Sequence, residues 1–130
     1  MERKYKTEIP MGFIIGKFIQ LEIEEEPIIV CGDIPGHAEL ARGYFLRQGV
    51  QFKEDYWGPC ASGNCYQILG GGEIWIPRRD PPVFIVYDCS GSYGAPDVKH
   101  LDRLMKRNPG LTAVRDINGE CKREWYKFKH

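Results

Sequence analysis

The stretch from Val83 to Asp97 constrains the fold more than any other part of the chain. Residues 83–87 are apolar and have the composition of a buried strand, which stops at Asp88, and a helix is predicted to begin near Pro96. A turn of small residues that joins a strand to a helix exposes several backbone N–H groups at one point, and the helix start adds partial positive charge there. This order of elements therefore predicts a place that binds a phosphoryl group or another oxyanion.

Small polar residues give this turn the groups that an oxyanion needs. Ser90 and Ser92 can donate hydroxyl hydrogen bonds to one point, and Gly91 lets a ligand approach the backbone closely. We therefore take these three as candidate phosphate-binding residues. A serine-glycine turn between a strand and a helix is often only a turn, so from these residues alone both readings stay open.

Length and charge favour one domain that binds neither nucleic acid nor a membrane. The 130 residues suffice for a single core, and we expect a polar lead-in at 1–11 followed by one domain at 12–130. The 18 basic and 18 acidic residues cancel, which argues against non-specific nucleic-acid binding and against an electrostatic membrane anchor. No apolar run could span a bilayer, and the polar start lacks the apolar stretch of a signal peptide. We expect a cytoplasmic monomer.

The cysteines indicate reduced thiols rather than a metal site or a disulfide framework. There are five of them, an odd number with irregular spacing. Four residues separate Cys60 from Cys65, whereas zinc knuckles and redox motifs usually have two. We expect no metal, and the spacing gives only weak support to a redox function for this pair.

Hydrophobic patterns predict an α+β fold. From Phe18 onward apolar and polar residues alternate, which is typical of a half-buried strand. Helical spacing of apolar residues predicts helices at 36–48 and about 96–107. Further strands are predicted at 28–31, 50–57, 65–69, 73–76, 83–88, 111–117 and 121–128, with a loop at 58–64, an interruption at the triple glycine 70–72 and a hairpin at Asn118-Gly119. We therefore expect a single mixed sheet of about six strands with two helices packed on it.

Four stretches of the chain carry a resemblance to a known family. They are Gly16–Leu21, with a lysine in the first strand; Arg42–Tyr44, which reads Arg-Gly-Tyr; Leu69–Ile74, with its triple glycine; and Val86–Gly94, which contains the serine turn followed by Tyr-Gly. In order and spacing, the chain resembles the phosphohistidine phosphatase family, which includes the Janus and Ocnus proteins. The triple glycine together with the serine turn is the more specific part of this similarity.

The resemblance implies metal-independent hydrolysis of the P–N bond of phosphohistidine in proteins, without a cofactor. It implies that Lys17 contacts the phosphoryl group together with the serine turn, and that Val50 and Gln51 line the same site. The position after the triple glycine, which can be arginine in the family, is Glu73 here. The residues with supporting roles would be Arg42, Tyr93 and Gly94.

The resemblance also places the family's catalytic histidine at a position occupied here by Val50. Valine can neither accept a proton nor attack phosphorus, so catalysis would need a substitute. The weak substitutes are Glu54, Asp55 and His100. His37, close to the start of the first predicted helix, is given no role.

Two functions from different classes follow. In the first, the chain is a phosphohistidine phosphatase with a replaced catalytic group. In the second, it is a pseudoenzyme, a non-catalytic module that binds phosphate or a phosphorylated protein. The valine at position 50 favours the second, and the overall likeness favours the first.

Overall fold

A five-stranded mixed sheet carries one helix on each of its faces. The computed structural model describes residues 6–61 and 66–116. In chain order the elements are β1 (Ile15–Ile23), β2 (Glu26–Gly32), α1 (His37–Gln48), β3 (Phe52–Asp55), β4 (Gly58–Ala61), β5 (Tyr66–Arg79), β6 (Pro82–Tyr87), α2 (Val98–Arg107) and β7 (Thr112–Arg115). The sheet has the order β2-β1-β5-β6-β7, with β6 and β7 parallel and the other pairs antiparallel, and β3 pairs with β4 in a separate hairpin. The predicted α+β class is confirmed.

Successive apolar side chains of β1 contribute to the hydrophobic core on both faces of the sheet. Phe18 packs in a buried cluster with Leu101 and Leu104 of α2. The next residue, Ile19, belongs to a second buried cluster that contains Tyr44 of α1. Because successive side chains of a strand point to opposite faces, α1 and α2 cover opposite sides of the sheet.

The strand count differs from the prediction in the region after α1. The main sheet has five strands among the described residues instead of about six, because the segment predicted as a strand at 50–57 forms β3 outside it. Three of the four β3 residues are exposed, and Lys53, Glu54 and Asp55 are all charged, so this strand has no apolar face to bury in a sheet. The predicted loop at 58–64 begins as β4. The hairpin at 118–119 and the strand at 121–128 lie outside the described residues.

The triple glycine does not interrupt a strand, as the sequence suggested, but lies inside the continuous β5. A Cβ on Gly70 would lie 2.2 Å from the carbonyl oxygen of Ala95, and one on Gly72 would lie 2.5 Å from that of Tyr87. The neighbouring backbone therefore occupies the space where side chains would be. Glycine is needed here for close approach and not for a break in the strand.

Helix α1 lies along the β3–β4 hairpin, with Ala38 against Gly58 and Phe45 against Phe52, and ends at a glycine. Gly49 adopts the left-handed conformation, with φ of 68°, in the manner common at helix C-termini. The N–H of Val50 donates to the carbonyl of Phe45 (2.9 Å) and so belongs to this end of the helix. Twelve residues make a helix about 18 Å long, so Val50 and His37 are widely separated. Neither described helix has the length and apolar character needed to cross a membrane.

Helix α2 is tied to the sheet by a buried polar network around His100. Asp97 caps the helix through the N–H of His100 (2.9 Å). The Gln20 side chain donates to His100 Nδ1 (3.0 Å), and His100 Nε2 donates to the carbonyls of Leu21 (2.9 Å) and Ile28 (3.1 Å). Since one ring nitrogen accepts and the other donates, this arrangement holds a neutral imidazole. Burial lowers the pKa of His100.

We expect His100→Gln to flatten the acid side of the stability curve. Above the ordinary histidine pKa of about 6.5 the imidazole is neutral in both states, and below it the unfolded state binds more protons because the folded pKa is lowered. The contribution of His100 to stability is therefore lost as the pH falls from about 6.5 through the folded pKa. Urea unfolding at several pH values should show a steeper decline for wild type than for the variant, and parallel curves would contradict a buried neutral imidazole.

Candidate phosphoryl-binding site

The turn after β6 is closed by its own hydrogen bonds. The N–H of Ser90 donates to the Gly94 carbonyl (2.9 Å), and the N–H of Gly94 donates to the Ser90 carbonyl (2.8 Å). The hydroxyl oxygen of Ser90 accepts from the N–H groups of Ser92 (3.2 Å) and Tyr93 (3.1 Å). The Gly94 carbonyl also accepts from the N–H of Gly71 (3.2 Å), which ties the turn to β5. These bonds hold the turn in shape through the chain's own groups.

Fewer backbone donors are open to a ligand here than the sequence predicts. The N–H groups of Ser90 and Ser92 are used inside the turn, and Ser90 is buried, with 3% of its surface exposed. Within the part of the chain that the structure describes, the N–H of Gly91 has no protein partner. Gly91 is exposed and Ser92 partly exposed. An anion at this turn would therefore meet the Gly91 N–H and the Ser92 hydroxyl, while Ser90 acts as the scaffold.

His37, the first residue of α1, lies beside this turn. Its Nε2 is 2.9 Å from the carbonyl oxygen of Gly72. A Cβ on Gly71 would lie 3.3 Å from His37 Cδ2 and also 3.3 Å from Ser90 Cβ. Because Gly71 has no side chain, the imidazole and the scaffold serine both approach the same point of the sheet.

The bond to Gly72 decides which nitrogen of His37 is basic. A carbonyl oxygen only accepts hydrogen bonds, so Nε2 carries the proton and Nδ1 holds the lone pair of the neutral ring. The residue is partly buried. An imidazole held in this tautomer can take a proton from water or attack an electrophilic phosphorus.

Lys17 is on the same face of the sheet as His37 but is held by an acid. Its Nζ lies 2.9 Å from Glu73 Oε1, and both side chains are partly exposed. Lys17 pairs with Glu73 across β1 and β5, and the next pair on the same face is Ile19 with Gly71. The lysine therefore lies on the neighbouring strand, opposite the residue two positions after Gly71, the glycine beside the imidazole.

Val50 and Gln51 are not brought together with the turn. The N–H of Val50 is used at the C-terminal end of α1, and its side chain packs against the core cluster under that helix. The carbonyl of Gln51 accepts from the Tyr66 hydroxyl. His37 and Ser90 lie at the other end of α1, so the residues that the resemblance assigns to one site lie at opposite ends of the helix.

Arg42 and Tyr93 brace the β3–β4 hairpin. Arg42 makes two bonds to the Glu54 carboxylate, Nε to Oε1 (2.6 Å) and Nη2 to Oε2 (2.9 Å). These bonds raise the pKa of Arg42 and lower that of Glu54. The Tyr93 hydroxyl donates to the Pro59 carbonyl (2.8 Å), and burial raises the pKa of Tyr93 to about 12. Both side chains therefore hold the hairpin, Arg42 against α1 and Tyr93 against the serine turn.

Each of the three acid–base substitutes is engaged in bonds to other groups. Glu54 binds Arg42 in an exposed ion pair. Asp55 Oδ1 accepts the N–H of Tyr56 (2.7 Å) at the hairpin tip. His100 is fully buried on the α2 face. Among the described residues, none of the three is bonded to the serine turn or to His37.

Sequence reasoning gave His37 no role although it carried a usable signal. It follows Gly36, the first residue of the helix predicted at 36–48, and the start of a helix is where the backbone leaves donors and positive charge for an anion. The family resemblance placed the reactive position at 50 instead. Only the packing of α1 on the sheet shows that its first residue, and not the residue after its end, meets the serine turn.

Neither metal binding nor a disulfide is indicated by the described residues. Across 6–61 and 66–116, no three His, Cys, Asp or Glu side chains are placed to hold a metal ion. In the same ranges Cys31, Cys60 and Cys89 are free thiols, and burial raises the pKa of Cys31 well above its usual range. Cys65, the proposed partner of Cys60, lies outside the described residues.

Comparison with known proteins identifies no family for this chain. Neither a scan against models of protein families nor a search of curated proteins returns a match for the chain. The function must therefore be inferred from the site itself.

Proposed function

We propose that this protein hydrolyses the P–N bond of phosphohistidine in proteins without a metal, with His37 as the catalytic group. One observation carries the proposal: a Cβ on Gly71 would lie 3.3 Å from His37 Cδ2 and 3.3 Å from Ser90 Cβ, so the imidazole and the scaffold serine lie beside the same glycine. An imidazole that can act as a base, placed beside donors for the phosphoryl oxygens, is a pairing that can catalyse phosphoryl hydrolysis. The sequence resemblance to phosphohistidine phosphatases supports the same reaction.

The chemistry assigned to His37 follows from its hydrogen bond to Gly72. Nδ1 accepts a proton from a water molecule as that water attacks phosphorus. A new P–O bond forms while the P–N bond breaks, and the electron pair of that bond stays on the leaving ring nitrogen. The other ring nitrogen of the substrate carries a proton, so the imidazole leaves neutral, and His37 returns the proton taken from water to the solvent. The products are inorganic phosphate and the unmodified histidine side chain. The Gly91 N–H, the Ser92 hydroxyl and the Lys17 ammonium are the groups proposed to contact the phosphoryl oxygens.

The second candidate is a non-catalytic module that binds a phosphoryl group or a phosphorylated protein. It is favoured by Lys17, whose charge is already balanced by Glu73, and by the internal use of four of the five backbone N–H groups of the Ser90–Gly94 turn. Both features lower the positive charge and the number of donors that a catalytic site offers to a transition state.

A phosphate-release assay separates the two candidates. Wild-type protein in EDTA is expected to release phosphate from a histidine-phosphorylated protein over many turnovers, with a serine-phosphorylated protein as the control. Binding is measured in parallel by following amide resonances during phosphate titration, where Gly91 should shift and the remote, open Gly110 should not. Binding without turnover would establish the non-catalytic module in place of the enzyme. Neither binding nor turnover would overturn both.

A further inference from the structure

A carboxylate stands within reach of any phosphoryl group that Lys17 would hold. Glu73 Oε1 lies 2.9 Å from Lys17 Nζ, and its side chain is 29% exposed, so it is only partly screened by water. In the β1–β5 ladder the Lys17–Glu73 pair directly follows the Ile19–Gly71 pair on the α1 face. Glu73 is therefore on the same face of the sheet as His37, two residues along β5 from Gly71.

This placement makes the charge of the ligand important. A phosphate monoester or inorganic phosphate brings only negative charge near neutral pH, and the carboxylate repels it while it competes for Lys17. An N-phosphoryl group differs because its basic nitrogen can be protonated. It then carries positive charge on the nitrogen side next to the negative phosphoryl oxygens, and an N–H can donate to the carboxylate.

We propose that Glu73 is a specificity-determining residue that selects phosphoryl groups carried on a positively charged nitrogen over phosphate esters and free phosphate. This proposal rests on the proposed function of the same site. Lys17 contacts the phosphoryl oxygens, and Glu73 accepts from the protonated nitrogen. In phosphohistidine the proton is carried by the ring nitrogen that is not bonded to phosphorus, and it lets the imidazole leave as a neutral group. The carboxylate therefore favours the substrate form in which the P–N bond breaks most readily.

The test compares two small substrates and one matched variant. Phosphoramidate, which is a zwitterion near neutral pH, and para-nitrophenyl phosphate, an ester, are assayed with wild type and with Glu73→Gln. Dissociation constants for phosphoramidate and inorganic phosphate are measured by calorimetry on the same proteins. We expect Glu73→Gln to bind inorganic phosphate about tenfold more tightly and to lower the ratio of kcat/KM for phosphoramidate over the ester by about tenfold, as expected for loss of one nearby charge.

Glu22→Gln is the matched control. Glu22 also lies on the sheet in an ion pair, with Arg103 of α2, and its side chain is 25% exposed. The variant changes the net charge by the same amount on the α2 face, away from His37. We expect its dissociation constants and its substrate ratio to equal those of wild type.

The outcomes distinguish failure of this proposal from failure of the proposed function. If both variants match wild type, or if Glu73→Gln changes both substrates equally, Glu73 is not a specificity determinant. If wild type turns over neither substrate, the enzyme proposal fails, and the dissociation constants alone decide whether Glu73 is a specificity determinant. Phosphoramidate should then still bind more tightly than phosphate to wild type but not to Glu73→Gln, and any other result, including no measurable binding, overturns the proposal.

Discussion

Replacing His37 by alanine is expected to slow phosphate release from a histidine-phosphorylated protein by about 10²–10⁴-fold, the usual contribution of a positioned acid–base group. The variant leaves the serine turn intact, because its closing bonds run within 90–94 and to Gly71. Affinity for inorganic phosphate should therefore fall far less than kcat. The measurements are single-turnover phosphate release and a phosphate titration on the same protein preparation.

Val50→His is the companion variant, because it separates the two possible positions of the catalytic group. If the sequence resemblance fixed the reactive position, a histidine at 50 would raise the rate. The structure places residue 50 at the far end of α1 from the turn, so we expect no gain in either wild type or His37→Ala. Full activity in His37→Ala, or rescue by Val50→His, would contradict the role assigned to His37.

Gly70→Ala is expected to destabilise the protein by about 3 kcal/mol, at the upper end of the usual cost of overpacking. The new methyl group would lie 2.2 Å from the Ala95 carbonyl oxygen and 3.3 Å from Gln20 Oε1. The nearer atom belongs to the backbone, so the clash can be relieved only if the segment before α2 moves away from the sheet. Urea unfolding monitored by tryptophan fluorescence gives the change in the free energy of unfolding.

Gly91→Ala is the matched control for this prediction. It makes the same chemical change at the exposed turn, where a Cβ meets nothing within 4 Å. Its free energy of unfolding should stay within about 0.5 kcal/mol of wild type, as for most surface substitutions. Equal effects of the two variants would mean that β5 does not depend on the close approach of its neighbours.

The fold class could be predicted because the patterns that indicate strands and helices lie within short stretches of sequence. The alternation that begins at Phe18 belongs to β1, and the apolar run at 83–87 lies in β6, where residues 83–86 are buried. Both helices begin within two residues of their predicted starts. The triple glycine was misread, since whether glycine breaks a strand or admits a neighbour depends on residues far away in the chain, such as Ala95.

The candidate site was less predictable because contacts distant in sequence assemble it. The turn itself was found, as its residues are consecutive. The pairing of Lys17 with Glu73 depends on the register of β1 against β5, and no single stretch of sequence records that register. The approach of His37 to Ser90 depends on how α1 lies across the sheet, so a count along the chain selected Val50 instead.

The hydrogen bonds inside the Ser90–Gly94 turn have a consequence for the kinetics of ligand binding. A loop that orders only when its ligand arrives loses conformational entropy at that moment, and its association rate is limited by the rearrangement. Here the bonds of the Ser90 hydroxyl and the two backbone bonds between Ser90 and Gly94 already order the turn when the protein folds. The conformational entropy of the turn is therefore lost before any anion arrives. Anions should therefore enter and leave in fast exchange, at a rate set by diffusion and by the water molecules that they displace from Gly91.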